Sequence, residues 1–127
     1  MAARARKRGT YETAARMFHR VARRLLNQQE RAEDDMGDCV LRTPDDKVCA
    51  IGALIPKNKY RKGLECEIMT VLHGDFNTKA ARVTGIRTPR KAELGRALMG
   101  VHDEVEPAEW REAFLRVARD FGIKARI

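Results

Sequence analysis

Aromatic residues are scarce in this 127-residue chain: one Trp, two Tyr and four Phe, 6% of the total. So few rings disfavour the base-stacking platforms that single-stranded nucleic acid needs. Cysteine is equally thin, with Cys39, Cys49 and Cys66 alone and no C-x-x-C spacing. That odd count excludes a disulfide scaffold and signals neither a zinc knuckle nor a redox motif. Long apolar runs are missing too. The longest, Cys49 to Pro56, falls far short of the ~20 residues that span a bilayer. No apolar segment of signal-peptide length follows the basic stretch Met1–Gly9, so neither membrane insertion nor secretion is expected. There is also no Gly-rich phosphate loop, no G-x-S-x-G and no H-E-x-x-H.

What the chain does have is positive charge, in bands. Lys and Arg number 26 against 18 Asp and Glu, a net charge of +8. Residues 1–31 hold nine basic side chains against Glu12 and Glu30, whereas residues 32–49 hold six acids against Arg42 and Lys47. Residues 79–96 carry six cations against Glu93, and 97–112 five carboxylates against Arg111. Cations that neutralise phosphates release counterions and give sequence-independent affinity. The candidate contacts are Arg4, Arg6, Lys7 and Arg8 on a flexible N-terminal arm, then Arg16, Arg20, Arg23 and Arg24. Lys57, Lys59, Arg61 and Lys62 in a basic loop complete the set. An acidic protein would serve such a surface equally well.

Residues 1–9 read as that flexible arm and 10–127 as a single compact domain. Thr10 is a plausible N-cap for a helix over about 11–29, with Ala14, Met17, Phe18, Val21 and Leu25 at helical spacing. Two short runs, 39–42 and 47–50, flank Thr43-Pro44-Asp45-Asp46, which predicts a β-hairpin. A four-residue loop would put Val40 opposite Cys49, and a three- or five-residue loop would put Cys39 there. Residues 51–55 are a buried segment, short helix or hairpin tail, and Leu64–Leu72 is a helix. Residues 74–84 are weakly patterned. Thr88-Pro89 caps a helix carrying Leu94, Ala97, Leu98 and Val101. A turn at Pro107 opens the last helix, with Trp110, Ala113, Phe114, Val117, Ala118 and Phe121 in period and a C-cap at Gly122. The expected fold is α+β but mostly α: about four helices around one short hairpin. Phe18, Val21, Leu25, Leu54, Leu98, Trp110, Phe114 and Val117 are the expected core.

Catalytic chemistry has two candidates. Cys49 could serve as a nucleophile with His102 as its base, although burial in an apolar run raises a thiol pKa. His102-Asp103 invites comparison with metal-dependent His-Asp phosphohydrolases, which need a further His and Asp; His73 and Asp120 are the only obvious supplements. Neither set is complete, so no metal and no cofactor are expected. A helix-capping role for His102-Asp103 and structural roles for the thiols account for these residues.

The run Cys49-Ala50-Ile51-Gly52-Ala53-Leu54-Ile55-Pro56, with Tyr60 four residues on, resembles a set of small, functionally uncharacterised proteins of bacteria and their phages. These share a Cys-Ala-Ile-Gly-x-Leu-Ile-Pro segment, a His-Asp pair and a C-terminal aromatic helix, matched here by His102-Asp103, Trp110 and Gly122. The resemblance covers about residues 39–123 and implies a setting, a prophage or other mobile element, but no active site. The expected function is a cytoplasmic, non-catalytic accessory protein that binds nucleic acid or a host protein or defence complex through basic surfaces. The alternative is a small hydrolase using Cys49 or His102-Asp103.

Overall fold

Helix α1 occupies Ala14–Gln28 and begins where Thr13, extended at φ −73° and ψ 161°, turns its hydroxyl to accept the Arg16 N–H. The computed structural model describes residues 12–127, so the expected arm with Arg4, Arg6, Lys7 and Arg8 lies outside them, as does Thr10. The α1 cap is therefore Thr13 in place of Thr10. The helix ends at Gln29, which takes the left-handed conformation at φ 59°.

Four further α-helices follow among the described residues: α2 (Ile68–Leu72), α3 (Lys79–Thr84), α4 (Pro89–Glu104) and α5 (Trp110–Asp120). The N-cap hydroxyls of Thr78 and Thr88 accept from Ala81 and Lys91, and Pro89 stands at the first turn of α4, where a missing N–H costs nothing. Leu64–Leu72 is divided into a 3-10 stretch, Lys62–Glu67, and α2. The weakly patterned segment contains α3, closed by Gly85 at φ 80°. At the end of α5, Gly122 takes φ 66° and the Ile123 N–H donates back to Ala118 O at 2.8 Å, closing the helix as expected. No helix among the described residues is long and apolar enough to cross a membrane.

The hairpin is not there. The described residues contain no β-strand, only two isolated antiparallel bridges, Glu33 with Cys39 and Arg42 with Val48. The fold is thus all-helical with irregular loops, and the α+β expectation is corrected. The reason lies in the hydrogen bonds. The Leu41 N–H donates to both Glu65 carboxylate oxygens, and Val48 N–H and O both bond the Gln28 side-chain amide. Side chains from a 3-10 turn and from α1 satisfy the groups that a ladder would have used. The turn itself survives: Thr43 N–H donates to Lys47 O. The register differs from both expectations, since the Cys49 N–H donates to Leu41 O, which puts Leu41 opposite Cys49. Residues 51–55 form a 3-10 turn, Gly52–Leu54, buried against α1.

The three long helices α1, α4 and α5 pack on one another around the core. All eight expected core residues are buried. Phe18 and Phe114 meet edge to face at 6.4 Å, and Trp110, fully buried, donates its indole N–H to Val105 O.

Candidate functional site

Past Gly122 the chain has no regular secondary structure, and its burial alternates. Ile123, Ala125 and Ile127 pack on the core while Lys124 and Arg126 stay exposed. The outward pair lands beside α1. The Arg126 N–H donates to His19 Nε2 at 3.0 Å, and Arg23 donates to Arg126 O at 2.8 Å. His19 Nδ1 lies 2.7 Å from Ala15 O, so the ring is the Nδ1–H tautomer, a donor on one side and an acceptor on the other. The result is a shallow groove of about 340 Å³ lined by Ala15, Arg16, His19, Arg23, Lys124 and Arg126. It contains four permanent cations and no carboxylate. A second shallow groove of about 340 Å³ is lined by Asn58, Lys59, Arg61, Lys79, Arg82 and Val83, again with four cations and no acid.

Among the described residues, the expected basic contacts therefore sort into four groups. Arg16 and Arg23 share the first groove, and Lys59 and Arg61 the second. Arg20 and Arg24 turn elsewhere: Arg20 pairs with Glu12 at 3.1 Å and donates to Leu54 O, and Arg24 donates to Asp46 O at 2.7 Å. Lys57 and Lys62 line a larger cleft of about 860 Å³, where Glu33, Asp34, Asp46 and Glu65 offset them. Sequence reasoning missed Lys124, Arg126, Lys79 and Arg82 as site residues. The alternation Ile-Lys-Ala-Arg-Ile at 123–127 was the available signal for the first pair, and the i, i+3 spacing of Lys79 and Arg82 for the second.

A second constellation lies at the end of that cleft. His102, on the last turn of α4, is completely buried and stacks on Trp110 at 5.8 Å. Its Nε2 accepts the Ala32 N–H at 3.1 Å, which fixes the ring proton on Nδ1, 2.7 Å from Asp103 Oδ1. Cys39 Sγ stands 4.0 Å from the same Nδ1. Arg31 secures the helix end by donating to the His102 and Val105 carbonyls. Neither His73 nor Asp120 joins this cluster.

The cluster is poorly arranged for nucleophilic catalysis. A relay needs the acid on one ring nitrogen and the nucleophile on the other. Here Asp103 and Cys39 both face Nδ1, and a backbone N–H occupies Nε2. Hydrogen bonding to Cys49, then burial, push the Cys39 thiol far above the ordinary range, so it stays protonated. Burial opposes a charge on His102, whereas the bonds to Cys39 and Asp103 favour one and prevail, moving its pKa upward. The Ala32 N–H works the other way, because it needs a bare Nε2, and it keeps the neutral Nδ1–H form in place. Cys49, fully buried, accepts the Gly52 N–H at 3.3 Å and faces no base. Sulfur, imidazole and carboxylate donors can nevertheless share a metal ion, a possibility the sequence alone did not suggest because Cys39 lies 63 residues from His102.

Comparison with protein-family models, with curated proteins and with solved structures finds no match to this chain, so the functional reading rests on these two geometries.

Proposed function

We propose that the protein binds duplex nucleic acid through its phosphates and acts as a non-catalytic accessory factor. One observation carries the reading: Arg16, Arg23, Lys124 and Arg126 share a groove that no carboxylate lines. The groove at Lys59, Arg61, Lys79 and Arg82 repeats the chemistry. Guanidinium and ammonium groups match phosphate oxygens, and clustered cations without acids gain the counterion-release term in full. Among the described residues, the only apolar side chains in the two grooves are Ala15 and Val83. A protein partner would need a larger apolar anchor at its centre, and bases would need rings to stack on. Duplex backbone needs neither. The location in a host cytoplasm and the phage or mobile-element setting belong to the same proposal and are supported by the Cys49–Pro56 resemblance alone.

Anisotropy of a labelled duplex of arbitrary sequence tests this directly. If six of the eight groove cations each neutralise one phosphate, affinity falls about a thousandfold between roughly 50 and 200 mM salt. Duplex that stays unbound at low salt, with an acidic polypeptide binding in its place, overturns the reading.

A further inference from the structure

We propose that Cys39, His102 and Asp103 form a zinc site with three protein ligands, the fourth tetrahedral position being left to water from the cleft. One donor atom from each of the first three lies within 4.8 Å of the others. Around tetrahedral zinc, bonds of ~2.3 Å to sulfur and ~2.05 Å to nitrogen set those donors about 3.6 Å apart. Cys39 Sγ and His102 Nδ1 stand 4.0 Å apart before any ion enters. Asp103 Oδ1, 2.7 Å from Nδ1, has only to open to about 3.4 Å. The residues come from two places that the fold brings together, the loop at 39 and the last turn of α4. Thiolate, imidazole and a single carboxylate suit zinc and not calcium or magnesium, which take oxygen ligands.

Access and burial agree with such a site. Cys39 and Asp103 are exposed, and Cys39 opens onto the 860 Å³ cleft, which gives an ion its route. His102 is buried and forms the dry inner wall. Binding has defined consequences for protons. The ligating thiol gives its proton to solvent. The imidazole stays neutral, losing its Nδ1 proton and gaining one on Nε2, so the Ala32 N–H is released. One backbone hydrogen bond is exchanged for three bonds from protein to metal. The ion would tie the 32–49 region to α4, a structural role separate from the basic grooves.

The experiment uses the full, untagged, reduced chain stripped with chelator and titrated with Co2+, then Zn2+. Expected are one ion per chain, thiolate-to-cobalt charge-transfer absorption, tetrahedral ligand-field bands, and displacement of cobalt by zinc. Cys39→Ser and Asp103→Asn, both at exposed positions, weaken zinc at least about 100-fold in competition with a chromogenic indicator. Cys66→Ser leaves it unchanged. Absence of charge-transfer absorption in the wild-type chain, or wild-type zinc affinity in a Cys39→Ser chain that circular dichroism shows to be folded, overturns the proposal.

Discussion

Replacing Gly52 by Ala should be the most damaging small change in the molecule. A Cβ there would stand 1.9 Å from Leu41 O and 2.8 Å from Leu41 C, both backbone atoms. Leu41 cannot retreat cheaply: its N–H is held by both oxygens of Glu65, at 3.0 and 3.1 Å, and its carbonyl accepts the Cys49 N–H. Overpacking costs roughly 1–3 kcal/mol, and losing the bonds that position Leu41 adds about 1–3 kcal/mol. A total of about 2–6 kcal/mol is a large share of the ~5–15 kcal/mol that holds a domain together. At roughly 3–5 °C per kcal/mol for a chain of this length, Tm should drop by about 6–30 °C. Urea unfolding followed by fluorescence of the single, buried Trp110 gives the same quantity at room temperature. Gly63→Ala is the control, since its Cβ would meet nothing within 4 Å. If Gly52→Ala unfolds within about 0.5 kcal/mol of wild type, the close approach of the 41 and 52 backbones is wrong.

Three further outcomes follow from the same contacts. His102→Ala removes the ring under Trp110 and leaves the buried Ala32 N–H without its acceptor, so urea unfolding should register a loss of about 3–4 kcal/mol. Thr88→Ala deletes the α4 N-cap and should cost about 1 kcal/mol by the same assay, with no effect on the core. Burial, then the hydrogen bond to Glu65, push the Tyr60 phenol up to about 12, so the unfolded chain ionises first, near ~10. Stability is intact below pH ~10 and declines as pH climbs from about 10 to 12. Tyr60→Phe should flatten that decline, and an identical decline in both chains would contradict it.

The parts of the fold legible in the sequence are those set by local rules. Thr88-Pro89 and Gly122 mark helix ends because capping depends on a few adjacent residues. The stripes of α1 and α5 are readable because each buries one face. The hairpin failed on non-local grounds. Gln28 and Glu65, distant in sequence, supply the hydrogen bonds that make a ladder unnecessary, and no period-two pattern reports that. The candidate sites divide the same way. Arg16 and Arg23 were visible on one helix, but helical spacing alone could not separate them from Arg20 and Arg24, whose partners Glu12 and Asp46 come from other segments. The convergence of Cys39 with His102 was out of reach, because tertiary folding alone joins them.

The claim that matters most is that the acid-free grooves neutralise phosphates. The direct measurement is the slope of log affinity against log salt for duplex binding. It compares wild type with the combined Arg16→Ala, Arg23→Ala, Lys124→Ala and Arg126→Ala chain, and with a Lys57→Ala and Lys62→Ala control from the mixed-charge cleft. The slope should become shallower by about 3 to 4 in the groove variant, at ~0.9 per phosphate contact, and hold its wild-type value in the control. Equal slopes in all three chains would contradict the account.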